Sequence, residues 1–155
     1  EDFLMISDGE AAISVGFENT QGYKDALQDA CRDGGTQYLQ DGVKSAQVYG
    51  MLKEKVDLSR KTLIYVASPG QLQVVYQAIR NYPDYMGLFP DTLGLVGFDV
   101  EGWTRMTTPA ISAIITPAYQ EGVRAMEELV DVLDGKKREG DVVFKNIVKW
   151  RETTL

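Results

Sequence analysis

Histidine is absent from this chain of 155 residues, and cysteine occurs once, at Cys31. The first absence removes the commonest general base and the commonest metal ligand. The second leaves no thiolate cage for a metal and no internal disulfide. Both weigh against an enzyme, and a lone thiol agrees with a reducing compartment. No apolar run approaches the ~20 residues that a membrane-spanning helix requires. There is no repeat, no low-complexity tract, no Gly-x-Ser-x-Gly elbow and no phosphate-binding glycine loop of standard spacing. The stretch Glu1-Asp2-Phe3-Leu4-Met5-Ile6 lacks the basic start and cleavage site of a secretory signal. Positive charge is also in deficit: 16 Lys and Arg stand against 23 Asp and Glu, a formal net charge of −7. DNA binding rests chiefly on cations that neutralise phosphates, so this segment is a poor DNA binder by itself.

What is present is an ordinary globular composition, 44% hydrophobic, at a length that suits one domain and can bury a sizeable core without staples. Asp2 to Ser7 is an apolar run halted by Asp8-Gly9, which reads as a buried strand and a turn. A loop from Gly9 to Phe17 follows, and Tyr23, Leu27, Ala30 and Cys31 then recur at helical spacing before Gly34-Gly35. Gln37-Tyr38-Leu39 reads as a weaker strand, Asp41-Gly42 as a turn, and Ala46 to Val56 as a helix. Lys61 to Ala67 crowds β-branched and aromatic residues before the breaker Ser68-Pro69-Gly70, and Leu72, Val75, Tyr76 and Ile79 form a helical stripe.

After Pro83 and Pro90, Leu93 to Phe98 is an apolar run that ends in Asp99. Ile111 to Ile115 is a strand between Pro109 and Pro117, and Val123, Met126, Val130 and Leu133 line one helix face, with Tyr119, Val123 and Met126 as its core side. Lys136-Lys137-Arg138 reads as a solvated hinge. Val142-Val143-Phe144 and Ile147-Val148-Trp150 suggest a final strand or strand pair. Alternating β and α units predict an α/β fold, a parallel sheet flanked by helices on both faces.

In such sheets the carboxyl ends of the strands face a crevice where ligands bind, and Asp8, Ser68 and Asp99 fall at such ends. A carboxylate there can accept two hydroxyl hydrogen bonds from a sugar. On spacing alone Asp99 reads equally as a turn or cap residue.

Gly97-Phe98-Asp99, Pro109-Ala110-Ile111-Ser112-Ala113-Ile114, Gly122 and Ala125, the ending Arg151-Glu152-Thr153-Thr154, and Gly22-Tyr23-x-x-Ala26-Leu27 stand in a fixed order. This ensemble resembles the effector-binding half of LacI/GalR-type transcriptional repressors across nearly the whole chain. The resemblance implies a periplasmic-binding-protein-like fold of type I. Residues 1–110 would form its second lobe, residues 111–136 a crossover strand and helix belonging to a first lobe, and residues 137–155 a return to the second lobe. It implies that Asp99 holds the effector. Asn19 stands where the family often has an effector-gripping Arg, and Ser68-Pro69 where it often has Asn-Asp, so the resemblance leaves open which effector binds. Either residue can still hydrogen-bond a polar ligand, or serve structure alone.

Phe98 and Trp103 offer apolar faces to a sugar ring, although aromatics near strand ends are more often core. The loop carrying Phe17 would line the cleft, with Asp41 at its rim. The function expected is a cytoplasmic regulator module that binds a small sugar or sugar phosphate between two lobes. It would need no cofactor, no metal and no membrane, and would act as a homodimer that meets operator DNA through a head domain outside this chain. A secreted sugar-binding protein of a transport system shares the architecture, but the Arg151 to Leu155 ending matches the repressors. An enzyme of flavodoxin-like or hydrolase type has no motif in its favour.

Overall fold

The computed structural model describes residues 2–8, 15–99, 102–137 and 140–155, with the side chains of residues 15–17 outside that description. The apolar runs become strands β1 (Asp2–Ser7), β2 (Gly35–Tyr38), β3 (Thr62–Val66), β4 (Leu93–Phe98), β5 (Ser112–Ile115) and β6 (Ile147–Lys149). The stripes between them become helices α1 (Val15–Asp29), α2 (Ser45–Lys55), α3 (Pro69–Ile79) and α4 (Ala118–Leu133). One six-stranded sheet runs in the order β2-β1-β3-β4-β5-β6, parallel except for β6, which pairs antiparallel with β5.

The topology fixes the faces. The path from β1 to β2 steps one way along the sheet, and the paths from β2 to β3 and from β3 to β4 step the other way. Right-handed crossovers therefore put α1 on one face and α2 and α3 on the other. The parallel α/β sheet with helices on both faces is the fold expected from the sequence. Its core is centred between the sheet and α2/α3: Ile6, Ile64, Val66 and Leu95 meet Val48, Leu52, Leu72, Val75 and Ile79, all at or below 1% exposure. Full burial of each such side chain stabilises by roughly 1.5–3 kcal/mol.

Glycine permits one close approach here. A Cβ on Gly97 would lie 2.8 Å from Leu72 Cδ1 and 3.1 Å from the Val66 carbonyl oxygen, so α3 can sit down on β4 only because that atom is missing. On the opposite face Tyr23, Tyr65 and Phe98 form an aromatic row with centroid spacings of 6.2 and 6.5 Å. Burial pushes the phenols of Tyr23 and Tyr65 up to about 12.

Four local expectations change. Helix α1 begins at Val15, so Phe17 lies inside a helix rather than in a loop, and Gly9 to Ser14 lie outside the described residues. The same helix ends at Asp29, before Ala30 and Cys31, because Cys31 takes a left-handed φ of 52°. Val142-Val143-Phe144 is not a strand, which leaves β6 alone as the return. The strand assigned to a crossover into a first lobe, β5, is hydrogen-bonded to β4 and belongs to this sheet.

Helix α4 differs from the others. Tyr119, Val123, Met126, Val130 and Leu133 follow one stripe of the helix, yet they are 80, 42, 59, 49 and 77% exposed, and α4 has no buried residue. The stripe was expected to be core. In this chain it faces outward along an open groove of about 880 Å³ lined by Tyr119, Val123, Met126 and Val130.

The Arg-x-Thr-Thr ending works as a clasp on the β4–β5 crossing. The Arg151 N–H donates to Ser112 Oγ at 2.8 Å, and its Nη1 donates to the Ile111 carbonyl. Glu152 Oε2 accepts from the Ala110 N–H at 2.6 Å, and the Thr154 hydroxyl meets Ser112 Oγ at 2.6 Å. Thr153, fully buried, donates its N–H to the Ala110 carbonyl at 3.2 Å. Polar groups that would otherwise be orphaned where β5 leaves the turn are thereby paired.

Candidate functional site

The five parallel strands end along one edge of the sheet. Backbone pairing continues past the strand ends there: the Leu39 N–H donates to Ser7 O and the Ala67 N–H to Ile6 O, each at 2.8 Å. The corners after β2, β1 and β3 therefore lie side by side, which places Asp41, Asp8 and Ser68 on neighbouring connections. Asp8 and Asp41 are exposed, and Ser68 is 9% exposed. Pro69 opens α3 with its φ preset for the first helical turn. Asn19, on α1, reaches the same edge by donating Nδ2 to the Ala67 carbonyl at 3.4 Å, a long bond. The structure thus brings Asp8, Asn19, Ser68 and Asp41 to one edge; the Phe17 side chain lies outside the described residues.

Asp99 is at the carboxyl end of β4, as the sequence implies, but it does not reach outward. The residue is 2% exposed. Oδ1 accepts from the Gly102 N–H at 2.7 Å, and Oδ2 accepts from the Thr104 N–H at 3.3 Å and from the Thr104 hydroxyl. The carboxylate expected to grip a ligand directly is the anchor of the 3-10 turn Trp103–Met106. Of the two roles open on spacing alone, the turn role is the one its contacts fulfil. Trp103 is half-buried with its ring centroid 6.4 Å from that of Tyr76, against the core rather than free to stack on a ligand.

Two residues passed over in the sequence belong to this edge. Gln71, 6% exposed, donates Nε2 to the Leu39 carbonyl at 3.1 Å, while its buried Oε1 has no hydrogen-bond partner among the described residues. It thus ties the corner after β3 to the corner after β2. A polar residue next to Leu72 and four places before Val75 on a buried stripe was the signal. The other is Arg151, whose Nη1 donates to Thr104 Oγ1 at 2.8 Å; its place in the Arg-x-Thr-Thr ending was visible, its contact with the turn was not.

No group of three or more His, Cys, Asp or Glu among the described residues could hold a metal ion. No described helix is long and apolar enough to cross a membrane. What the edge offers is a set of neutral and acidic hydrogen-bonding groups, suited to hydroxyl-rich molecules more than to anions.

No family sequence model and no curated protein sequence matches the chain. Solved structures do. A LacI-family transcription repressor from Corynebacterium glutamicum superposes with a TM-score of 0.78 at 18% identity, over 99% of this chain and 58% of its own. The Escherichia coli transcriptional repressor AscG gives 0.76 at 17%, over 99% and 55%. The chain has the fold of a LacI-type effector-binding domain. A third match, a periplasmic binding protein/LacI transcriptional regulator from Alkaliphilus metalliredigens in complex with D-xylulofuranose, gives 0.74 at 17%, over 99% and 57%. This chain spans between 53 and 58% of the length of the solved chains of that fold described here and alongside them.

Proposed function

We propose that this chain is the effector-binding module of a LacI/GalR-type transcriptional regulator, and that its carboxyl edge forms one wall of a cleft for a small sugar or sugar phosphate. The observation that carries the reading is the gathering of Asp8, Asn19, Ser68 and Asp41 on adjacent corners at the edge where open α/β sheets take ligands. The D-xylulofuranose bound to one protein of the same fold supports a sugar as the ligand class. Asp99 enters the site when the turn it anchors gives way to ligand hydroxyls.

The second wall would be a first lobe, to which α4 belongs. Its apolar half is the kind of surface that a sheet of another lobe covers, since exposed patches of this extent mark interaction sites. In this reading residues 1–110 with β5 make the second lobe, α4 crosses to the first, and the segment from 137 returns. Ligand in the cleft biases the angle between lobes, and in a cytoplasmic homodimer that angle spaces two operator-reading heads. Coupling of this kind is typically worth about 1–3 kcal/mol.

Titration calorimetry of the full-length gene product with D-xylose, D-glucose, maltose, glucose 6-phosphate and inorganic phosphate tests the proposal. A heat of binding that Asn19→Ala weakens at least tenfold is expected. No binding by any of them, with operator affinity unchanged throughout, rejects an effector-controlled regulator. An export signal where a DNA-reading head is expected would favour a transport protein instead.

A further inference from the structure

Asp99 is 2% exposed and its carboxylate accepts from both Gly102 and Thr104, so a ligand hydroxyl that reaches it competes with partners the chain already supplies. What lies behind those partners decides what the replacement does. Thr104 is fully buried, and every polar atom it has is in use. Its N–H and hydroxyl face Asp99, its hydroxyl oxygen accepts from Arg151 Nη1 at 2.8 Å, and its carbonyl accepts from the Ile111 N–H and the Thr107 hydroxyl, each at 2.9 Å. A hydroxyl has one proton and two lone pairs. With the proton on the carboxylate and a lone pair on the guanidinium, the Thr104 oxygen sits between an anion and a cation, and both bonds are charge-assisted.

Arg151 is in turn fixed to the crossing. Its Nη1 also donates to the Ile111 carbonyl, its N–H donates to Ser112 Oγ at 2.8 Å, and its neighbour Thr153 donates to the Ala110 carbonyl at 3.2 Å. One continuous line of hydrogen bonds therefore runs from the end of β4 through Thr104 and Arg151 to the start of β5 and to the segment that follows β6.

We infer that Thr104 and Arg151 are positioning residues that hold the Asp99 carboxylate, so that a ligand hydroxyl taking over Asp99 also loosens the hold on the crossing at residues 110–112. The inference rests on reading the carboxyl edge as the ligand site. It supplies that reading with a contiguous path from ligand to crossing whose partner exchange both ends bias.

Amide hydrogen exchange of the 155-residue chain, read by NMR, tests the line without any ligand. Thr104→Val is expected to speed exchange about tenfold at Gly102, Ile111 and Thr153, the scale set by loss of a hydrogen bond to a charged group, while Met5 and Ile64 stay unchanged. Thr104→Ser restores the slow rates. The decisive amide is Gly102, which donates to Asp99. Arg151→Gln speeds Gly102 exchange in the native background and adds nothing to it in the Thr104→Val background. If Arg151→Gln leaves Gly102 unchanged, or if the two effects simply add, no line exists; Arg151→Lys gives the same comparison should the Gln variant fail to fold. D-xylose, D-glucose and inorganic phosphate, added to the full-length protein, form the second arm. A sugar that binds and speeds Ile111 exchange supports the inference, and one that binds without doing so overturns it while leaving the ligand site intact. Absence of any binding by calorimetry overturns the ligand half together with the proposed function, whereas the variants alone decide the coupling.

Discussion

Ser112 donates its backbone N–H to the Thr153 hydroxyl at 2.9 Å, and that hydroxyl donates in turn to the Leu95 carbonyl at 2.7 Å. One buried oxygen thus serves a backbone group on β5 and one on β4. Thr153→Val keeps the shape and leaves both groups unpaired in the interior, at about 1–3 kcal/mol each. The expected loss is about 2–6 kcal/mol of unfolding free energy, with Thr153→Ser recovering most of it. Urea unfolding measures both; an unchanged slope with a lower midpoint marks a true stability change.

Thr62 presents the opposite case. Its Oγ1 is buried in β3 with no hydrogen-bond partner among the described residues, at 2% residue exposure. Thr62→Val removes an unsatisfied hydroxyl and changes the volume little, so stability is expected to rise by about 1 kcal/mol. A midpoint that falls instead would mean that the hydroxyl has a partner.

Gly97→Ala should be costly despite adding a single methyl. The new Cβ meets the Val66 carbonyl at 3.1 Å as well as Leu72, and the backbone of the central strand cannot step aside as a side-chain tip can. Overpacking of this kind costs about 1–3 kcal/mol. Thermal unfolding compared with Gly70→Ala, which meets nothing within 4 Å, separates crowding from the general effect of replacing glycine.

The sheet was legible because buried parallel strands are short, apolar and sharply bounded: Thr62 to Val66 stops at Ser68-Pro69, and Leu93 to Phe98 stops at Asp99. The positions of Asp8, Asn19, Ser68 and Asp41 at one edge follow from strand order, which alternation and handedness constrain. The partners of a side chain were beyond reach. Asp99 reads the same in one dimension whether its oxygens face a cleft or a turn, and the turn is closed by Thr104, five residues on. Arg151 reaches that turn from 47 residues away, a contact that no local pattern encodes. The α4 stripe was read correctly as apolar, but periodicity tells which face seeks burial and not whether this chain supplies the cover.

That distinction has a mutational signature. Met126→Gln lies on the exposed stripe of α4 and should leave the stability of the 155-residue chain within about ±0.5 kcal/mol. Leu72→Ala, on the core-facing side of α3, should cost about 2–5 kcal/mol. If a first lobe covers α4 in the full-length protein, Met126→Gln becomes destabilising there, and the difference between the two backgrounds measures the docking.

Alkaline pH offers a separate probe. The Tyr65 phenol is raised from 10.0 to about 12 by burial, so the folded state holds its proton more tightly than the unfolded chain does. The stability this contributes is fully present below pH 10 and is lost as the pH rises towards 12. Tyr23 acts in the same direction over the same range. Tyr65→Phe should flatten the decline in midpoint across that window, measured by urea unfolding at successive pH values; an unaltered slope would show that the ring is more hydrated than its packing implies.

The clasp by Arg151 to Thr154 also governs when the fold can form. Thr153 meets Leu95 across 58 positions of sequence and Ser112 across 41. The β4–β5 pairing therefore waits on residues synthesised long after both strands have been made, a high-contact-order step that slows closure of the sheet. During translation the strands from β1 to β4 can already associate while β5 lacks its last partners, so a ribosome paused ahead of Arg151 would display an unfinished sheet margin.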